Sequence, residues 1–323
     1  MWRREVFGVL GGAALTWPLA ARAQQPTLGV LSSSELADWA IKPFRAGLED
    51  GGYVEGRNLT AVYRSADNQF DRLPALAAEL VKSQVSVIFA TGSPVPARAA
   101  KAATSTIPIV FAYGGDPVSD GLVASFNRPE GNVTGATFIG TELLSKRMAL
   151  LREMLPQVMI VALLVNPKGT LAAAQISEAK AAAQSLGLTL HVVNAISESE
   201  FDEAFETMSR LKVGAFLSST DPLFGFNGRN LHIVKGLRYG IPPICVGRVD
   251  VAAGGLFSYG ADLSDTWRQA GVYVARILKG EKPSELPIVQ PTKFDFVINL
   301  KTAKKLGLDI SPALLARADE VIE

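Results

Sequence analysis

Short, mainly apolar, β-rich runs punctuate the chain at 28–31, 59–63, 85–90, 107–112, 158–165, 188–193, 215–218 and 243–246. Such runs predict strands buried on both faces, because a strand covered on one side only would alternate apolar with polar. Between them, apolar side chains recur at helical spacing. Leu144, Met148, Leu151 and Leu155 step along one helical face until Pro156 stops it. Leu263, Trp267, Ala270, Val274 and Ile277 form another such face, opened by Asp262 as N-cap and closed by Lys279-Gly280. Strands alternating with helices throughout predict an α/β chain of parallel sheets with helices on both faces.

The two halves echo one another. Residues 87–94 (VIFATGSP) lead through an Ala-rich helix to Ile107-Pro108, and residues 215–222 (AFLSSTDP) lead through a second helix to Ile241-Pro242. Two similar doubly wound lobes would produce that repetition. The length points the same way, since ~300 residues exceed what one core organises.

The N-terminus reads as an export signal. Arg3 and Arg4 precede an apolar stretch at 6–20, and Ala21-Arg22-Ala23 supplies the small-x-small cleavage pattern. The stretch is too short to span a bilayer and contains Pro18. The arginine pair suits either the general secretory or the twin-arginine route. Cysteine does not follow the cleavage site, so the expected product is an unlipidated protein of the periplasm without membrane insertion. Loss of Arg3, Arg4, Arg22 and Glu5 moves the formal charge from +1 to −1. A near-neutral chain with interspersed charges has no electrostatic footprint for nucleic acid. Cys245, the single cysteine, sits in the apolar run Ile244-Cys245-Val246 and reads as a buried thiol.

Candidate chemistry gathers at four junctions where a polar residue precedes proline just past a strand: Ser93-Pro94, Asp116-Pro117, Asn166-Pro167 and Asp221-Pro222. Ser, Asn and Asp accept hydrogen bonds from the free amides of a first helical turn, and proline at its first position loses nothing. Capping alone explains each junction. Their position adds a second reading, because open parallel sheets bind ligands beyond the carboxyl ends of their strands. Helix starts at Ser93 and near Asp116 would suit a carboxylate or another strongly polar group. Thr91 and Gly92 add a hydroxyl and a close backbone approach, with Thr220 at the matching place in the second half. Asp116 and Asp221 would pair with an ammonium, which needs a charged partner once dehydrated. Ser33 and Ser34 follow the first strand at the same edge. Tyr113, Phe224, Phe226 and Tyr259 are the aromatic candidates for an apolar wall.

Catalytic signatures are lacking. The sequence has no dinucleotide-binding glycine fingerprint, P-loop, nucleophile elbow or histidine-containing metal motif. His191 and His232 fall within a strand and a helix without spaced partners and read as structural. The expectation is a binding protein with no catalytic residue, cofactor or metal. Its rivals are a ligand sensor for a membrane receptor and, less favoured, a secreted α/β enzyme.

Several segments carry a family resemblance: 114–118 (GGDPV), 122–129 (LVASFNRP), 131–135 (GNVTG), 253–260 (AGGLFSYG), 273–283 and 290–294 (QPTKF). Together they resemble the ABC-transporter substrate-binding proteins of the tryptophan/tyrosine-associated group. The resemblance implies the type I periplasmic-binding fold, with two Rossmann-like doubly wound lobes on a three-segment hinge. It places the crossings near 134–139, 257–261 and 287–296, giving lobe 1 as 24–136 plus 260–285 and lobe 2 as 137–259 plus 286–323. It also implies capture of an amino acid or similar small polar solute for an ABC permease and its ATPase. By analogy of loops, Ser93 and Asp116 would hold the α-carboxylate and amine, Asp221 would assist from the other lobe, and Gly114 and Tyr259 would adjoin the site through the shared motifs.

Overall fold

The computed structural model describes residues 25–138, 143–225 and 229–323. The export signal at 1–23 and Phe226 lie outside the described residues. The chain forms β1 (Thr27–Ser32), α1 (Asp38–Asp50), β2 (Thr60–Ser65), α2 (Leu73–Lys82), β3 (Val87–Thr91), α3 (Pro94–Ala103), β4 (Ile109–Tyr113) and β5 (Val133–Thr137). It continues through α4 (Leu144–Met154), β6 (Ile160–Val165), α5 (Ala172–Leu186), β7 (Thr189–Asn194), α6 (Phe201–Arg210), β8 (Ala215–Ser218), α7 (Leu231–Arg238) and β9 (Pro243–Cys245). The remainder is α8 (Arg248–Ala252), β10 (Phe257–Ala261), α9 (Leu263–Leu278), β11 (Phe294–Asn299), α10 (Leu300–Lys305), α11 (Pro312–Leu315) and β12 (Glu320–Ile322).

Two sheets result. One runs β2-β1-β3-β4-β5, and the other β12-β11-β10-β9-β8-β6-β7. From its far edge the second sheet repeats the first, so β7-β6-β8-β9-β10 corresponds to β2-β1-β3-β4-β5. The echoing segments at 87–94 and 215–222 therefore occupy equivalent strands, β3 and β8. Beyond β10 the second sheet gains two strands, and β11 runs antiparallel to β10 while β12 is parallel to β11. The expectation of purely parallel sheets is corrected there.

Alternate residues of each strand feed opposite faces, as the pleat requires. Val30, Phe89 and Val110 pack toward α1 and α9, while Leu31, Ile88 and Phe111 pack toward α2 and α3. In the second sheet Leu163 and Leu217 enter one core and Leu164 and Phe216 the other. Cys245 is a buried thiol, as expected.

The helix α9 follows a strand of the second sheet yet packs on α1 against the first. Glycine permits the close approach: a Cβ on Gly47 would stand 2.0 Å from the Arg268 carbonyl oxygen, and one on Gly271 would stand 2.1 Å from that of Phe44. Asp262 caps α9 by accepting from the amides of Ser264 and Asp265. Phe44 stacks on Phe89 (centroids 4.1 Å apart), and Trp267 meets Phe89 edge-on. The chain passes between sheets after β5, after β10 and after Val289. Before that third passage, residues 286–289 lie along β5: the Thr134 hydroxyl donates to the Leu286 carbonyl (2.7 Å), the Thr137 amide donates to the Val289 carbonyl, and the Val289 amide donates to the Gly135 carbonyl.

Candidate functional site

The carboxyl ends of β1, β3 and β4 face those of β6, β8 and β9, and every junction picked out by proline lies there. The Ser93 hydroxyl accepts from the Val95 amide and caps α3. It also shares a 2.7 Å hydrogen bond with the buried Ser33 hydroxyl. Gly92 has φ +96°, and a Cβ there would stand 2.9 Å from that of Ser33, so only glycine fits without strain. Thr91 is fully buried and donates to the Ala112 carbonyl, tying β3 to β4 rather than facing a ligand.

The other three junctions cap turns, not helices. Asp116 accepts from the amides of Val118 and Ser119 and from the Ser119 hydroxyl. Burial raises its pKa, but these hydrogen bonds outweigh that and leave it below the ordinary value. Asp116 is exposed. Asn166 accepts from the Lys168 amide and donates to Asp221 Oδ1 (3.2 Å), which also accepts from the Leu223 amide (2.9 Å). Asp221 is buried, and that burial raises its carboxyl pKa despite both bonds.

Two adjoining cavities occupy the space between the sheets. Phe138, Thr220 and Asp221 border both. The larger is walled by Trp39, Leu263, Phe224 and Val246, with Ser219 and Asp250 among its polar groups. The smaller brings Gly92, Ser93 and Gly114 of the first half against Thr170, Leu171 and Pro222 of the second. A Cβ on Gly114 would lie 3.2 Å from Thr220 Cγ2, so the halves touch there.

The structure thus brings together Gly92, Ser93, Gly114, Thr220 and Asp221. Ser33 and Asn166 stand behind them as hydrogen-bonded supports. Ser34 is buried, and its hydroxyl, like those of Ser219 and Thr220, has no partner among the described residues. Asp116, Thr91 and Tyr259 border neither cavity. Tyr259 stacks on Phe294 in the second core, and Tyr113 is fully buried with its hydroxyl donating to Asp120. Of the aromatic candidates among the described residues, only Phe224 reaches a wall.

Sequence reasoning missed Trp39, Phe70 and Phe138 as walls, Gln175, and Asp250. Trp39 packs edge-on against Trp267 (6.1 Å). Gln175 of α5 clamps the backbone of Thr220 from both sides, accepting from its amide (2.6 Å) and donating to its carbonyl (3.2 Å). Asp250 accepts from the amides of Gly247 and Val246, and burial pushes its carboxyl up to about 6. Among the described residues no His/Cys/Asp/Glu group is arranged to hold a metal ion, and no helix is long and apolar enough to cross a membrane.

Two doubly wound lobes enclosing an aromatic-walled polar cavity define a type I periplasmic-binding fold. The chain matches the ABC transporter substrate binding protein family over residues 31–322 and belongs to it. It is similar to a tyrosine-binding protein of Clostridioides difficile, 26% identical over 273 residues, covering 84% of this chain and 77% of that protein. Among solved structures it resembles a Streptococcus pneumoniae ABC domain in complex with L-Trp, at a TM-score of 0.82 and 24% identity, covering 93% of this chain and 100% of that one. A conserved domain protein from Vibrio cholerae is 27% identical at a TM-score of 0.79, covering 92% of this chain and 100% of that one.

Proposed function

We propose that this protein captures an amino acid or a closely related small polar solute between its lobes and delivers it, unchanged, to an ABC permease with its ATPase in the inner membrane. The observation that carries the reading is the cavity itself. Aromatic walls from both halves surround the buried carboxylate of Asp221 and the unpartnered hydroxyls of Ser219 and Thr220, while the Ser93-capped start of α3 faces them. A carboxylate is suited to that helix start, and an ammonium to Asp221. The tyrosine and tryptophan in the names of the relatives support an amino acid as the solute class.

In this reading the chain is exported, cleaved near Ala23 and works in the periplasm. Its lobes are taken as 24–136 plus 260–285 and 137–259 plus 286–323, with the boundaries moved to the strand ends at Thr137, Ala261 and Val289. They rock about the three passages. A solute touching both lobes shifts the open–closed equilibrium by its differential affinity for the two states.

The test is thermal unfolding of residues 24–323 against amino acids and small organic solutes. A solute at about a hundred times its Kd stabilises the folded chain by ~2.7 kcal/mol, several degrees at the midpoint. A response confined to a subset of amino acids is the expected result. A flat response to every amino acid refutes the amino-acid reading, and turnover of a bound solute refutes capture without chemistry.

A further inference from the structure

The larger cavity holds a carboxylate that capture of a simple α-amino acid does not require. Asp250 lies in the first turn of α8 and lines the larger cavity together with Asp221. Its hydrogen-bond partners are backbone amides, and the Arg147 guanidinium acts on it only through space. Arg147 itself is committed elsewhere, donating from Nε to the Tyr259 carbonyl at 2.8 Å.

A second, independent group points the same way. Asn230 is 5% exposed, and its Oδ1 has no hydrogen-bond partner among the described residues. Gly225 lines the cavity beside both groups. A Cβ placed there would lie 3.1 Å from Asn230 Oδ1 and 3.2 Å from Asp250 Oδ1. Two acceptor oxygens therefore stand beside one point of the cavity wall. Among the described residues neither cavity is lined by lysine, arginine or histidine, whereas two carboxylates, Asp221 and Asp250, are present. A buried acceptor without a donor, beside a carboxylate bonded only to backbone amides, carries a desolvation penalty that a cationic donor offsets.

We propose that Asp250 and Asn230 form a second subsite, beside Gly225, for a positively charged nitrogen group of the solute. Resting on the capture reading above, this narrows the solute to one bearing a cationic group in addition to the one at Asp221: an amino acid with an amine, amidine or guanidine in its side chain, or a diamine. The apolar wall between the two carboxylates carries the linking segment of the solute.

Calorimetry on residues 24–323 with matched probes tests the assignment. The pairs are L-lysine against L-norleucine and 4-(aminomethyl)-L-phenylalanine against L-phenylalanine, with cadaverine as a probe lacking a carboxylate. In each pair the aminated member is expected to bind about tenfold tighter or more, given the coupling of close, desolvated charges. D250N should abolish that preference while leaving the unaminated member within about threefold, because only the second subsite loses its charge. N230D, which retains an acceptor and cannot donate as a carboxylate, should keep or increase the preference. Equal binding within both pairs overturns the subsite and leaves amino-acid capture standing. Loss of both members alike in D250N also overturns it, since Asp250 would then serve the common α-amino group. A preference lost in N230D shows that Asn230 acts as a donor to Asp250 and overturns the shared subsite. Silence from all five probes overturns the subsite, while the amino-acid reading stands or falls on the unfolding screen above. The wild-type comparison stands even if D250N fails to fold.

Discussion

Gly114 follows β4 at the point where the two halves touch, and Gly114→Ala should weaken solute capture while leaving the fold in place. The added methyl would stand 2.5 Å from Phe138 Cε2, 2.9 Å from Cδ2 and 3.2 Å from Thr220 Cγ2. Phe138 belongs to the core of the first half and is 2% exposed, so its ring has little room to turn away. Thr220 belongs to the opposite half, so any separation of the halves would relieve its contact. Overpacking of this kind costs ~1–3 kcal/mol. If the whole cost falls on closure, the Kd of a bound solute rises about 5- to 150-fold. Calorimetry with whichever amino acid shifts the unfolding midpoint most measures the Kd, small-angle scattering at saturation measures closure, and scanning calorimetry of the solute-free chain measures the cost to the fold. The double variant G114A/T220S, which removes the threonine methyl, should recover part of the affinity. A Kd within twofold of wild type refutes the reasoning, as would a loss that the double variant does not relieve.

Asp221→Ala should weaken an amine-bearing solute by ~2–5 kcal/mol, since it removes a buried partner of the ammonium; unchanged affinity in calorimetry removes Asp221 from the site. Asp250 titrates near pH 6 in the folded chain against a reference value of 3.8. Its proton therefore favours the folded state, and this contribution is complete below about pH 4 and lost as pH rises through about 6. Arg147 of α4 and Cys245 of β9 are the other titratable groups acting on it. Solute-free D250N should accordingly exceed wild type in stability by up to ~3 kcal/mol at pH 7.5, with the gain gone at pH 4; equal denaturation midpoints at both pH values refute the assignment. Gly271→Ala would drive a methyl against the Phe44 carbonyl and separate α1 from α9, lowering stability by ~1–3 kcal/mol or more. An unchanged melting midpoint for G271A contradicts that packing.

β3, β4, β6 and β8 were legible because they are apolar runs that lead into Ser, Asp or Asn followed by proline. β5 (VTGAT), β10 (FSYGA) and β11 (FDFVIN) were not legible in that way. They carry glycine, threonine or aspartate, and become strands through pairing with neighbours whose position only the tertiary fold sets. The proline junctions show a similar division. Ser93 is followed by PVPARAA and caps a helix, whereas Asp116 is followed by PVSDG and Asp221 by PLFG, which keep to turns. Composition past the cap decides which outcome prevails. Asp221 and Ser93 were found because strand ends in open sheets point at ligands. Trp39 and Phe138 were not, because a single sequence does not separate an aromatic that walls a cavity from one that fills a core.

The pairing of α1 with α9 makes the first-synthesised half of the protein depend on a helix in its last fifth. The face of α1 that carries Ile41, Phe44 and Leu48 is covered by a helix more than two hundred positions later in the chain. At a ribosomal pace of 5–20 residues per second, roughly 10–40 s separate the two segments. Throughout that interval one apolar side of β1 to β5 is covered by α1 alone, so the N-terminal lobe has no complete native state of its own to fall into. A nascent chain of this design stays loosely folded until most of it has been made, the condition in which a polypeptide can still be threaded through a narrow pore or bound by a holding chaperone. The order of elements along the sequence thus acts as a timer on folding, set by the place of one late helix.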